Sequence, residues 1–127
     1  MSTIGLGTDI VAVGRIAELL GSHGERFLNR CFSAAEREYF AGRGSAALAT
    51  TVAGRWAAKE SFLKALGGRI KHIPYHEVSI EHLVTGGAEL KASGRAAAAL
   101  VERGGRLVHV SISHESEYAV ATVIIED

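Results

Sequence analysis

The chain has 127 residues, with 14 Lys and Arg against 14 Asp and Glu, six His, one Cys and one Pro. That length suits one folded domain over residues 1–127. A 47% hydrophobic content at zero net charge excludes disorder, and a lone cysteine excludes a disulfide scaffold. No stretch reaches the ~18 uncharged apolar residues of a membrane span. Residues 1–13 carry Asp9 and lack the basic start of a secretion signal. Zero net charge argues against general electrostatic binding of nucleic acid. These features imply a reducing, cytoplasmic setting.

Residues 3–13 alternate as a strand: Ile4, Leu6, Thr8, Ile10 and Ala12 share one face, and Gly5, Gly7, Asp9, Val11 and Val13 the other. Residues 15–20 are predicted helical and stop near Gly21, with a short element over 25–31. Ser33-Ala-Ala-Glu36 has the form of a capping box, so a helix is predicted over 34–40. A long helix follows over 46–66 and ends at Gly67-Gly68. Pro74 falls in a loop (69–76) that is basic and His-rich. Residues 77–83 and 88–92 read as strands around a Gly86-Gly87 turn, and 94–103 as a short Ala-rich helix. Residues 106–114 and 118–125 read as two strands joined by a tight connection. A strand, then helices, then mostly strands is the order of an α+β fold.

The long helix is anomalous. Gly54, Ala57, Ala58, Ser61 and Ala65 form a small-residue face suited to close packing, while Trp56, Ala49, Val52 and Leu63 form an apolar one. At 100° per residue, Lys59 falls about 60° from Trp56, inside the apolar arc, with Arg55 beside it. Burying such charges costs several kcal/mol per ion unless each is paired, so Arg55, Lys59, Glu60 and Lys64 all need partners. Two accounts meet that need. Glu60 and Lys64 form an i,i+4 pair while Arg55 and Lys59 snorkel to water. Alternatively, three cations and one carboxylate line a polyphosphate site, where a divalent metal reconciles Glu60 with the phosphates.

Asp9 is the candidate second carboxylate. It is the only acid in the first 17 residues and stands in a strand, where Asp is disfavoured. On its face, Gly5 and Gly7 leave room for a ligand or another backbone. Capping of the following helix is the competing role for Asp9. In 108–114, Val108, Val110 and Ile112 share one face, His109, Ser111 and Ser113 the other, and His114 ends the strand. A Ser–His hydrolase is not indicated, because the Gly-x-Ser-x-Gly elbow is absent. Cys31 and the remaining histidines have no zinc-ligand spacing.

Three segments occur together in order: Ile4-Gly-Leu-Gly-Thr-Asp-Ile10, Gly54-Arg-Trp-Ala-Ala-Lys-Glu-Ser-Phe-Leu-Lys-Ala-Leu-Gly67 and His109-Val-Ser-Ile-Ser-His-Glu115. The combination resembles the holo-[acyl-carrier-protein] synthases, the small type of 4′-phosphopantetheinyl transferase. The resemblance runs from about residue 3 to residue 125. It implies a fold in which an antiparallel sheet packs on a long buried helix. It implies transfer of 4′-phosphopantetheine from coenzyme A to a serine of an apo acyl carrier protein, leaving adenosine 3′,5′-bisphosphate. Asp9 and Glu60 match the family's Mg²⁺ ligands. Lys64 and Arg55 match positions near the coenzyme A phosphates, Lys59 is a further cofactor-binding cation of the motif, and His114 matches a position beside the pantetheine or pyrophosphate. Asp9, Glu60, Lys64 and His114 form the implied catalytic set. The family also implies a homotrimer with sites between subunits, and an acidic carrier protein docking on Arg15 and Arg26. One departure is Gly86-Gly87-Ala88, where the family shows Gly-x-Pro. The rival activities are a small metal-dependent phosphohydrolase using Asp9 and Glu60, and a non-catalytic carrier-protein or nucleotide-binding module.

Overall fold

The computed structural model describes residues 1–68 and 72–127. Residues 69–71, in the basic loop, lie outside the described residues. The order of elements is β1 (Thr3–Ala12), α1 (Val13–Cys31), α2 (Ala34–Ala41), α3 (Ser45–Ala65), a 3-10 turn (Tyr75–Glu77), β2 (Val78–His82), β3 (Ala88–Ala92), α4 (Gly94–Glu102), β4 (Leu107–His114) and β5 (Tyr118–Glu126). The fold is α+β with antiparallel sheets, as the element order implies.

β5 is the centre of a three-stranded sheet, with β1 and β4 on either side; β2 and β3 form a separate hairpin. Alternation along β5 buries Ala119, Ala121, Val123 and Ile125 against α3, where Ala57, Ala58, Phe62 and Ala65 are also buried. The small-residue face of α3 allows close approach to the sheet. A Cβ added at Gly7 would overlap the backbone of Ser61, and one at Gly5 the carbonyl of Ala65. The space beside these strand glycines is therefore filled by helix backbone. At its other end α3 meets β4, where a Cβ at Gly54 would lie 2.8 Å from Ile112 Cγ2. The helix thus crosses the inner face from the β4 edge at Gly54 to the β1 edge at Ser61 and Ala65.

Two boundaries follow their sequence signals closely. Ser33 Oγ accepts from Glu36 N at 3.2 Å and Ser33 N donates to Glu36 Oε1 at 3.0 Å, which completes the capping box of α2. After α3, Gly67 and Gly68 take φ of 105° and 68° and return their N–H groups to Lys64 and Leu63 carbonyls. A third boundary differs. The first helical segment of α1 ends at His23, two residues past Gly21, where φ/ψ of −139°/30° is non-helical, and a second segment continues to Cys31. A glycine costs only about 1 kcal/mol in a helix, and the apolar stripe Leu20, Phe27 and Leu28 packed on the core holds both halves in place.

The outer face of the three-stranded sheet carries Leu6, Thr8 and Ile10 opposite Ile124, Thr122 and Val120. Leu6 is 64% and Ile10 65% exposed. Among the described residues, no helix is long and apolar enough to cross a membrane.

Candidate active site

α3 places four ionisable side chains in three separate environments. Lys59 points into the protein and is wholly buried, as is Glu36 from the start of α2. Its Nζ donates to Glu36 Oε1 at 2.6 Å, to the Tyr75 carbonyl at 3.0 Å and to the Val78 carbonyl. Three N–H donors meet three acceptors, so the ammonium is fully paired. Burial pulls it below its ordinary value, and Glu36 opposes that. Glu36 is saturated too: Oε1 also takes Ser33 N and Oε2 takes Ile80 N at 3.2 Å. Lys59 therefore neither snorkels nor reaches a ligand. It ties α3 to α2, the 3-10 turn and β2, which corrects its assignment as a cofactor-binding cation.

Glu60 and Lys64 lie at the β1 edge. The expected i,i+4 bridge between them is not made. Lys64 Nζ instead donates to Asp9 Oδ1 at 3.0 Å and to the Thr8 carbonyl at 2.9 Å. Glu60 Oε1 accepts from the Tyr75 hydroxyl at 2.7 Å. Burial, and then donation to Glu60, push the Tyr75 phenol above its ordinary value, with Asp9 adding a smaller effect in the same direction. Asp9, Glu60, Lys64 and Tyr75 thus form one cluster where β1, α3 and the 3-10 turn converge. Asp9 does not cap α1, whose N-cap is Ala12 without a side-chain bond.

Arg55 lies at the other end of α3. It is 8% exposed, and its guanidinium packs 4.5 Å over the Tyr39 ring and 5.9 Å from that of Phe40. Arg43 covers the same Tyr39 ring at 4.2 Å, and His82 stacks on it. Burial pulls the Arg55 guanidinium below its ordinary value. Its Nε is a buried donor with no partner among the described residues. Such a donor is costly unless an acceptor meets it. Arg55, His82 and His114 line a recess of about 290 Å³ floored by Val110 and Ile112. An anion entering there would meet three basic side chains.

The two groups stand on opposite edges of the sheet. Asp9 on β1 is in register with Ala121 on β5, and Ala121 with Ile112 on β4. Two strand spacings, about 10 Å, separate these edges, and His114 lies two residues further along β4. Along α3, Arg55 and Lys64 are separated by nine residues, roughly 14 Å at 1.5 Å per residue. Within one chain, Asp9, Glu60 and Lys64 are brought together, while Arg55 and His114 form a second site. Arg15 and Arg26 are exposed on α1, Arg26 beside a shallow recess of about 650 Å³ at the His23 bend.

Two residues of these clusters carry no sequence signal. Tyr75 is one aromatic after Pro74, and Glu36 is fully explained by its capping role until the fold brings Lys59 to it.

Among the described residues no group of three or more His, Cys, Asp or Glu could hold a metal by itself. A pair of carboxylates suits Mg²⁺ better than a closed cage would, because that ion usually keeps waters and shares substrate phosphates.

A family model for the 4′-phosphopantetheinyl transferase superfamily matches residues 5–123. The chain belongs to this superfamily. Curated holo-[acyl-carrier-protein] synthases match 94–98% of its length. A holo-[acyl-carrier-protein] synthase of Gloeobacter violaceus is 42% identical over 121 residues, covering 94% of this chain and 90% of the relative. A homologue of the same name from Halothermothrix orenii is 37% identical, over 97% of both chains. The crystal structure of the Neisseria meningitidis holo-[acyl-carrier-protein] synthase superposes with a TM-score of 0.89 at 31% identity, covering 99% of this chain and 100% of that one. A Bacillus anthracis holo-(acyl-carrier-protein) synthase in complex with CoA (3′,5′-ADP) superposes at 0.80 with 32% identity, covering 97% and 96%. These structures carry the same phosphopantetheinyl transferase fold as this chain.

Proposed function

We propose that this phosphopantetheinyl transferase moves 4′-phosphopantetheine from coenzyme A to a serine hydroxyl of an apo acyl carrier protein. The supporting observation is the pairing of Lys64 with Asp9 at the β1 edge, one helical turn from Glu60, in a chain 42% identical to a curated synthase of that name. In the reaction the serine oxygen forms a bond to the pantetheine-bearing phosphorus. The pyrophosphate P–O bond breaks, the serine loses its proton, and adenosine 3′,5′-bisphosphate leaves. Little covalent work falls to the protein, so its task is to position groups and neutralise charge. Asp9 and Glu60 would hold a divalent cation such as Mg²⁺, which would neutralise charge at the pyrophosphate. Lys64, paired with Asp9 and 53% exposed at its side chain, adds a solvent-accessible cation at the same edge.

The separation of the two clusters supports sites shared between subunits. Arg55 and His114 bind phosphate from a neighbouring copy, with Arg55 Nε finding there the acceptor it lacks in the single chain. The exposed Leu6, Ile10 and Val120 face supplies the contact surface of a homotrimer. Exposed Arg15 and Arg26 dock the acidic carrier protein and act mainly on its on-rate. The setting is the cytoplasm, in fatty acid or polyketide synthesis.

Intact-mass spectrometry of an apo acyl carrier protein incubated with this protein, coenzyme A and Mg²⁺ tests the reading. A gain of one phosphopantetheine (roughly 340 Da by formula) is expected, lost in Asp9→Ala and Glu60→Ala or with chelator. Release of phosphate products without an acceptor would indicate a phosphohydrolase. Coenzyme A binding without turnover on several carrier proteins would indicate a binding module. Either result overturns the proposal.

A further inference from the structure

The transfer as described uses Asp9, Glu60 and Lys64, but a fourth residue touches that cluster. The Tyr75 hydroxyl donates to Glu60 Oε1 at 2.7 Å, and the Tyr75 ring lies 4.5 Å from that of Trp56. Trp56 and Glu60 are four residues apart on α3 and so share one face of it. One side chain therefore lies over both, its ring on the indole and its hydroxyl on the carboxylate.

The backbone that carries Tyr75 is also fixed. Its carbonyl accepts from Lys59 Nζ at 3.0 Å, and that ammonium is fully buried against Glu36. Glu77 N closes the 3-10 turn onto the Pro74 carbonyl at 3.1 Å. The chain thus invests a buried ion pair in holding the turn from which Tyr75 reaches Glu60. A glutamate has three free side-chain torsions, and a half-buried one on a helix surface is not oriented by packing alone. Hydrogen-bonded partners of a ligating carboxylate set its orientation and its affinity for metal.

We infer that Tyr75 is a positioning residue for the divalent-cation site: its hydroxyl holds Oε1 of Glu60 and leaves Oε2 free for the cation shared with Asp9. Among the described residues, Oε1 alone of the two Glu60 oxygens has a hydrogen-bond partner. The inference rests on the metal-assisted reading above. The removable element is one hydroxyl, because phenylalanine keeps the ring on Trp56.

The test is Mn²⁺ binding in the presence of coenzyme A, followed by the electron paramagnetic resonance signal of free Mn²⁺. Wild type, Tyr75→Phe and Glu60→Gln are compared, with melting temperatures taken without metal. Tyr75→Phe is expected to raise the Mn²⁺ Kd about tenfold, with the metal-free melting temperature unchanged. The Mg²⁺ concentration for half-maximal transfer should rise by a similar factor, and saturating Mg²⁺ should restore kcat. Equal or tighter Mn²⁺ binding by Tyr75→Phe would overturn the inference, as would a lower melting temperature with unchanged affinity. If Glu60→Gln binds Mn²⁺ as wild type does, the metal-assisted reading itself fails and the inference falls with it.

Discussion

Lys59 Nζ lies 2.6 Å from Glu36 Oε1, and neither side chain is exposed to solvent. Removing one partner of such a pair leaves the other charge buried alone, which costs about 3–5 kcal/mol. Lys59→Met should therefore lower the free energy of unfolding by that amount in urea titrations. The double variant Lys59→Met/Glu36→Gln should lose less, because no lone charge remains. Any loss of coenzyme A affinity in Lys59→Met molecules that stay folded should follow the loosened Tyr75 turn and be relieved by saturating Mg²⁺; a loss that Mg²⁺ does not relieve would restore Lys59 to the ligand site.

Glycine serves two unrelated purposes along this chain, and alanine scanning should separate them. At Gly7 an added Cβ would lie 2.8 Å from Ala65 N and closer still to Ser61. Backbone cannot turn aside as a side chain can, so Gly7→Ala should cost at least about 1–3 kcal/mol. At Gly21 an added Cβ meets nothing within 4 Å, and the residue sits inside helix α1. Gly21→Ala should stabilise by about 0.5–1 kcal/mol. Calorimetric melting curves of the two variants should shift in opposite directions.

Cys31 offers a pH-dependent readout. Burial raises its thiol above the ordinary value of 9.0, and Lys59 and Arg30 only partly offset this. Iodoacetamide should thus alkylate Cys31 more slowly than a free thiol at neutral pH, with a midpoint displaced to higher pH. The same shift sets a sign for stability. With the folded value above the unfolded one, the contribution is complete below the unfolded pKa. It is lost as pH rises through the folded one. Cys31→Ala should flatten the alkaline side of the stability profile.

Ile10 is 65% exposed on a sheet face that also presents Leu6 and Val120. A lysine there would place a charge in the proposed contact between copies at a cost of several kcal/mol. Light scattering should show Ile10→Lys as a monomer and the wild type as a trimer. A wild type that is monomeric at micromolar concentration would remove the shared-site reading.

Much of the fold is legible in local pattern. The β1 alternation, the Ser33–Glu36 capping box and the Gly67–Gly68 stop each depend on neighbours within a few residues, and each is found where the pattern places it. Interactions that cross the chain are not legible in this way. Lys59 meets Glu36 across 23 residues and Lys64 meets Asp9 across 55. Periodicity shows that a charge on α3 needs a partner but not which one. Glu36 was hidden by its capping role, which uses the same carboxylate. The glycines of β1 left two occupants open, and the backbone of α3 is the one found. The distance between Arg55 and Lys64 was legible, since nine residues of helix always span roughly 14 Å.

That separation has a genetic consequence. If each site takes Asp9, Glu60 and Lys64 from one subunit and Arg55 and His114 from the next, damage to the two sets complements. Glu60→Gln and His114→Ala should each be inactive alone. Refolded together in equal amounts, they should form mixed rings in which about one site in four has both halves intact. Two dead proteins would then yield transfer activity near a quarter of wild type. Continued inactivity of the mixture would show that each chain carries its site alone.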